Sequence, residues 1–360
     1  MNKLKKKNLY IEINDKSFLI AIGEYDDELN FKIIEHESYS PSGFNNGKVR
    51  NLETTVENLK KVVKKIENKS NLLFSEINII INQTDFDCIN ISGFKKLNGN
   101  QILSDDISYI LNDVKSKLLE SEKDKTIIHL FNTKYLLDNK QIKNLPIGLY
   151  GDFYSHQLTF FLIKNNELKN LKTLFNKCNL GINKIILKNF SDGIKIINNF
   201  KNDTFIKIKI GKSESTLSFF FESAFCFFQK FNFGSDIILK DISKVCSLEI
   251  STIQKIISET SFEISDKNLY VDKKYFAENS YRKISLNHIM EISSARIEEI
   301  INIIFNKNKN LYDLKDKEVD LYFEFEDKNV FNKFHFIFKN NFKKYKFNIL
   351  KPKEEDPLES

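Results

Sequence analysis

Apolar and polar residues alternate in two bursts along residues 9–23, stop at Glu24-Tyr25-Asp26-Asp27, and alternate again along 31–37. A period of two marks half-buried strands, so the chain is expected to open on a β-meander. Ser42-Gly43 and Asn46-Gly47 mark a loop. Beyond it Leu52, Val56, Leu59, Val62, Val63 and Ile66 recur at helical spacing with Lys and Glu between them, which predicts an amphipathic helix. Residues 76–82 carry Ile77, Ile79, Ile80 and Ile81, a run suited to a strand buried on both faces. The pattern then changes: a strand at 85–91, a helix at 104–119 with Asp105 and Asp106 at its positive end, and strands at 126–131, 135–138 and 160–164. A helix at 168–178 closed by Asn179-Leu180-Gly181, a strand at 184–188 and a helix at 192–200 complete this half.

A second meander is predicted at 205–210, 215–221 and 224–231, with Glu222-Ser223 as its tight turn. Helices dominate 237–305, with a break near 266–270. A strand at 319–325, a helix at 330–342 and a strand at 346–350 follow, and Pro352 and Pro357 end the folded part. A meander followed by helix therefore occurs twice, with an α+β segment inserted in the first half, and no short tandem repeat accompanies it. Two related halves of this kind suggest an α/β fold of the actin, Hsp70 and sugar-kinase architecture.

Composition narrows the function. The 360 residues suffice for several subdomains, and 41% hydrophobic with 13% aromatic content excludes a disordered chain. No apolar stretch nears the roughly 20 residues of a membrane span. The longest, at 217–228, is broken by Ser218, Glu222 and Ser223. No apolar signal region follows the run Lys3-Leu4-Lys5-Lys6-Lys7, so secretion is not expected. The four cysteines lack C-x-x-C spacing and read as reduced thiols of a cytosolic protein. The net charge of +6 arises from 52 Lys and 3 Arg, alongside 42 Asn, 4 Ala and 11 Gly. That bias follows A/T-rich codons rather than a functional choice. With Arg nearly absent, no nucleic-acid partner is expected. The five His are dispersed and form no metal spacing or nucleophile–base grouping, so neither a metal site nor a hydrolase is expected.

Four strings resemble the bacterial cell-division protein family FtsA, actin-like partners of the tubulin-like FtsZ. The longest runs from Ile127-Ile128-His129-Leu130 through Tyr135-Leu136-Leu137-Asp138 to Asn144-Leu145-Pro146-Ile147-Gly148-Leu149-Tyr150-Gly151, with Leu145 inserted before the proline. The others are Asn46-Gly47-Lys48-Val49-Arg50-Asn51-Leu52-Glu53, Phe233-Gly234-Ser235-Asp236-Ile237 continuing to Ile242, and Met290-Glu291-Ile292-Ser293-Ser294-Ala295-Arg296-Ile297-Glu298-Glu299-Ile300. Their order covers about residues 8–350. The resemblance implies an actin-like, duplicated ribonuclease H-like fold with an FtsA-type α+β insertion subdomain. It divides the chain into a first actin-like subdomain (8–83 and 165–200), the insertion (84–164), a second actin-like subdomain (203–234 and 310–350), a helical FtsZ-binding-like subdomain (235–309) and an acidic tail (351–360).

The same resemblance implies a nucleotide site at Glu12, Asn14, Lys209, Gly211, Ser213 and Gly234. Such sites bring backbone N–H groups onto phosphate through glycine turns, with an Asp beside each for Mg²⁺ or water. The first turn here is Glu12-Ile13-Asn14-Asp15-Lys16-Ser17, where the family has Asp-Ile-Gly, and Asn14 is expected to keep the turn by tolerating left-handed backbone. The second is Lys209-Ile210-Gly211-Lys212-Ser213-Glu214-Ser215, with Lys in place of the metal-side Asp. The adenosine string is Leu321-Tyr322-Phe323-Glu324-Phe325-Glu326-Asp327; it has lost its glycines, and Tyr322 and Phe323 are expected to fill the base pocket. No cofactor is therefore expected, with ATP and Mg²⁺ bound weakly if at all, and little or no ATPase activity.

By resemblance the partners are the FtsZ C-terminal tail, read by Arg282, Lys283 and Arg296, and other division proteins, with self-association through the insertion. Arg296 has a structural alternative, pairing with acidic neighbours on its helix. Phe331, Phe334, Phe338, Phe342 and Tyr345 form a helical stripe expected in the core. The acidic tail differs from the family's amphipathic terminal helix, so membrane contact is expected to be indirect or weak, at the inner face of the cell membrane at the division site. The alternatives are a working actin-like ATPase and a PilM-type pilus-assembly platform.

Overall fold

Asn8–Ile13 (β1) and Phe18–Tyr25 (β2) pair antiparallel and Phe31–Tyr39 (β3) continues the meander, because Leu9, Ile11, Ile13, Phe18, Ile20 and Ile22 all enter the core. The computed structural model describes residues 7–25, 31–40, 42–45, 47–260, 269–276, 281–314, 319–342 and 346–350. The chain forms two units, one holding the residues up to Asp203 with Phe221–Phe227, the other Thr204–Phe220 with the residues from Phe228.

In the first unit a small hairpin of Phe44–Asn45 (β4) and Lys48–Val49 (β5) leads into Leu52–Ser70 (α1). Asn51 caps that helix by accepting from the Thr54 amide (3.2 Å), and Asn71 ends it in the left-handed conformation at φ 52°. Glu76–Ile81 (β6) then lies parallel to β1. Asp87–Lys96 (β7), Ser104–Ser121 (α2), Lys125–Leu137 (β8), Lys140–Ile142 (β9) and Phe153–Lys164 (β10) make a separate four-stranded sheet, ordered β7-β10-β8-β9. The helix α2 covers it through Ile107, Ile110, Val114 and Leu118. Asn165–Lys177 (α3), Gly181–Leu187 (β11) and Lys188–Phe200 (α4) return to the first sheet, whose order is β11-β6-β1-β2-β3.

The second unit repeats this topology. Phe205–Ile210 (β12), Ser215–Phe221 (β13) and Ala224–Phe231 (β14) form a meander whose turn sets Glu222 and Ser223 at φ 47° and 66°. The helices Asp236–Cys246 (α5), Ile250–Glu259 (α6) and Leu286–Ile301 (α7) follow, and α7 runs on into a π-helical turn, Asn302–Asn306. Asp320–Phe325 (β15), Lys328–Asn341 (α8) and Phe347–Leu350 (β16) complete a sheet ordered β14-β13-β12-β15-β16. In each unit a meander's first strand takes a parallel partner from beyond a helix, and that partner takes another. On α8, Phe334 and Phe338 are buried and Phe331 and Phe338 pack on Phe325, so the aromatic stripe is core. Tyr345 and the tail 351–360 lie outside the described residues.

Two strands differ most from expectation. The strands expected at 126–131 and 135–138 are one thirteen-residue strand, β8, because β10 pairs with it on both sides of a register shift at Thr133, whose hydroxyl donates to the Gln157 carbonyl at 3.1 Å. The strand expected at 160–164 begins at Phe153, since His156 is buried on the inner face beside Tyr154 and Leu158.

Candidate functional site

The first turn sits between β1 and β2. The Asn14 amide donates to the Ser17 carbonyl (2.9 Å) and closes it, while Asn82 Nδ2 donates to Asn14 Oδ1 (2.6 Å) from the end of β6. No residue of the turn takes a positive φ. Asn14 thus closes the turn through its amide and ties it to β6 through its side chain, without the left-handed backbone expected of it. Glu12, at the position of the metal-side acid, forms an ion pair with Lys188 Nζ at 3.2 Å. Lys188 also lies 3.5 Å from Asp192, and the side chains of Glu12 and Lys188 are 12% and 11% exposed. A cation that β11 and α4 deliver to this acid neutralises it within the protein.

The second turn joins β12 to β13. The Gly211 amide donates to the Glu214 carbonyl (3.0 Å), and the Lys212 amide donates to Glu326 Oε2 (3.2 Å). A Cβ on Gly211 would meet Glu214 O at 2.6 Å and Glu326 Oε2 at 3.0 Å. Glu326 reaches this place because β12 and β15 run parallel in the register Ile210 to Phe325, and its own amide continues the ladder to Ile210 O at 3.0 Å. Gly234 packs against the turn from behind, where a Cβ would fall 2.3 Å from Gly211 O and 2.5 Å from Lys212 O, so only glycine fits. The Ser235 and Asp236 amides at the start of α5 donate to those same carbonyls at 2.8 and 2.9 Å. Ser235 Oγ is buried and makes no hydrogen bond. Lys209, where a metal-side Asp would stand, lies 3.7 Å from Glu324, which also binds the buried Lys207 at 2.7 Å. Ser213 is exposed on the turn.

Within the second unit a cavity of about 530 Å³ opens beside this turn, lined by Lys212 and Glu326, by Gln254 and Lys255 of α6, and by Asp327 and Lys328 at the start of α8. Tyr322 and Phe323, expected to fill a base pocket, do not line it. As neighbours on β15 they point to opposite faces of the sheet and both are buried, Tyr322 edge-on to Phe205 and Phe323 against Phe342. Their strand continues the sheet, and the residues facing the cavity come one turn later.

The residues expected to read an acidic peptide lie around α5 and α7. Arg296 pairs with Asp241 of α5 and with Glu299, and the Asp241 carboxylate raises the guanidinium's affinity for its proton further. Arg282 Nη2 donates to the Ser247 carbonyl at the end of α5 (2.6 Å), and Lys283 Nζ lies 4.3 Å from the centre of the Tyr270 ring. Asp241 and Ser247 are about 9 Å apart along the helix. Both arginines therefore brace one helix, with Arg282 and Lys283 exposed and Arg296 half-buried. Lys188, Asn82 and Glu326 carry the geometry of the turns without having been singled out in the sequence. Glu326 alone had a signal, as an acid in a string where the family has glycine. Among the described residues no group of His, Cys, Asp and Glu is arranged to hold a metal, and no helix is long and apolar enough to cross a membrane.

No family model matches the chain. A chain of a PilM–PilN type IV pilus biogenesis complex superimposes with a TM-score of 0.57 at 7% identity, covering 96% of this chain and 88% of that one. With the repeated strand order, this defines a protein of the actin-like ATPase fold. Cell division protein FtsA of Buchnera aphidicola subsp. Schizaphis graminum is 21% identical over 323 residues, which is 87% of this chain and 76% of that protein. FtsA of Neisseria meningitidis serogroup B is 19% identical over 301 residues, 82% of this chain and 72% of that protein. The chain is a divergent FtsA-like protein of actin-like fold.

Proposed function

We propose that this protein is a cell-division scaffold that recruits FtsZ, helps assemble the Z ring with other division proteins at the inner face of the cell membrane, and does so without bound ATP. The similarity to cell division protein FtsA along 87% of the chain carries the reading. The chemistry of the turns supports the loss of ATP. The acid that would face Mg²⁺ in the first turn is paired with Lys188, and its counterpart in the second is Lys209. The amides that would face phosphate donate to Glu214 and Glu326 instead. Adenine nucleotide with Mg²⁺ does not fit these residues.

The FtsZ tail, acidic and apolar by the family resemblance, is assigned to the surface around α5 and α7. Arg282 and Lys283 are exposed cations there, suited to forking and attracting carboxylates. Arg296 supports them by holding α7 on α5 through Asp241. Fluorescence anisotropy with the tail peptide of the organism's own FtsZ tests this. Binding that weakens several-fold in Arg282→Ala and Lys283→Ala, and falls with added salt, is the expected result. No binding by the unaltered protein would overturn the function.

A further inference from the structure

We propose that Glu326 closes the second turn to phosphate, its carboxylate holding the position on the Lys212 amide that an anionic ligand would otherwise take. The inference rests on the reading of this turn as a lost nucleotide site, and it names the residue that keeps the site shut.

Several contacts converge on Glu326. Its Oε2 accepts from the Lys212 amide at 3.2 Å. The same oxygen covers Gly211, where a Cβ would come within 3.0 Å of it. Bare backbone at a glycine is what lets a phosphate approach a turn, and here the chain's own carboxylate has approached it. The turn is also held from behind, because the Gly211 and Lys212 carbonyls accept from the first amides of α5 and Gly234 packs directly against them. A fixed turn with an outward amide is a preformed anion cradle, and it is filled from within.

The surroundings favour an anion once that carboxylate is removed. Lys212, Lys255 and Lys328 line the adjoining cavity, against Glu326 and Asp327 as its acids. Asp327 is committed to capping α8, accepting from the Asn329 and Val330 amides at 3.0 Å each. Glu326 is therefore the acid that balances the lysines at the mouth of the turn. Without it the site is cationic and presents a free main-chain donor, which suits a phosphate or pyrophosphate group.

Calorimetric titration of the full chain with inorganic pyrophosphate at low salt tests the proposal. Glu326→Ala and Glu326→Gln should each bind at least about tenfold more tightly than the unaltered protein, since each removes a like charge at contact distance. Adding Lys212→Ala to Glu326→Ala should keep most of the gain, because the donor is main chain. Equal affinity in all forms, binding by none of them, or loss of the whole gain in the double variant overturns the proposal. Glu326→Gln keeps the shape of the side chain, and circular dichroism identifies which variants are folded. Tail-peptide binding by the unaltered protein is measured alongside: a gain without tail binding sinks only the division reading, and tail binding without a gain sinks only this one.

Discussion

His129 and His156 show how single side chains set the conditions under which this protein is stable. Burial pushes both imidazoles down to about 4, so each stays neutral in the fold. His129 Nε2 accepts from the Leu187 amide at 3.1 Å and links β8 to the start of α4, a bond that a proton on that nitrogen would break. His156 lies on the inner face of β10 with Nε2 beside Asn132 Oδ1 at 3.0 Å. A histidine whose folded value is depressed binds more protons when unfolded, so stability is full above about 6.5 and is lost as the pH falls toward 4. From pH 7 to pH 5 the loss from His156 alone is roughly 2 kcal/mol. Glu37, lowered to about 2 by its bonds to Lys65 and Lys69, acts below this window. Urea unfolding at the two pH values checks the point, and an unchanged midpoint would refute it. His129→Asn, which retains an acceptor and cannot titrate, should shrink the pH dependence.

At the scale of elements, α2 sits on β7 because position 93 has no side chain. A Cβ there would lie 2.4 Å from Ile110 Cγ2 and 2.7 Å from Val114 Cγ2. The helix is also pinned at its start, where Asp106 pairs with Lys95 and accepts from the Leu103 amide at 2.8 Å. The Lys95 bond, then that amide, holds the Asp106 carboxyl below the usual range. Gly93→Ala must lift the helix from the sheet and should cost roughly 1–3 kcal/mol in denaturant unfolding. An unaltered midpoint would show that the helix yields freely.

Legibility in the sequence also divides by element. The meander at 205–231 was readable residue by residue, because its strands are apolar and its turn falls between them. The first half of β10 was not, since Ser155, His156 and Gln157 read as polar although His156 faces the core. The departure of the two turns from the family's glycine pattern was legible. The carboxylate on the Lys212 amide was not, because it depends on which residue of β15 lies opposite Ile210.

For the whole molecule, the two units share a strand order while differing in what lies between the strands. An actin-like protein that binds nucleotide gains stability from it by mass action, about 2.7 kcal/mol at a hundred times the dissociation constant. Here millimolar MgATP should leave the melting temperature unchanged. A clear rise in the unaltered protein would mean that the turns still take nucleotide.

The parallel pairing of β12 with β15 also has a consequence during synthesis. Residue 205 emerges long before residue 320, its partner in the ladder, so the meander of the second unit exists for a time with one edge bare. Long-range pairing of this kind is slow, and a bare apolar edge invites a neighbouring nascent chain. Lys207 and Lys209 stand on that edge. In the finished protein Lys207 is buried against Glu324, an expensive place for an ammonium. Before β15 is made, a charge at that position opposes pairing with a neighbouring chain, as gatekeeper residues do, and β15 then brings the acid that lets it fold inward.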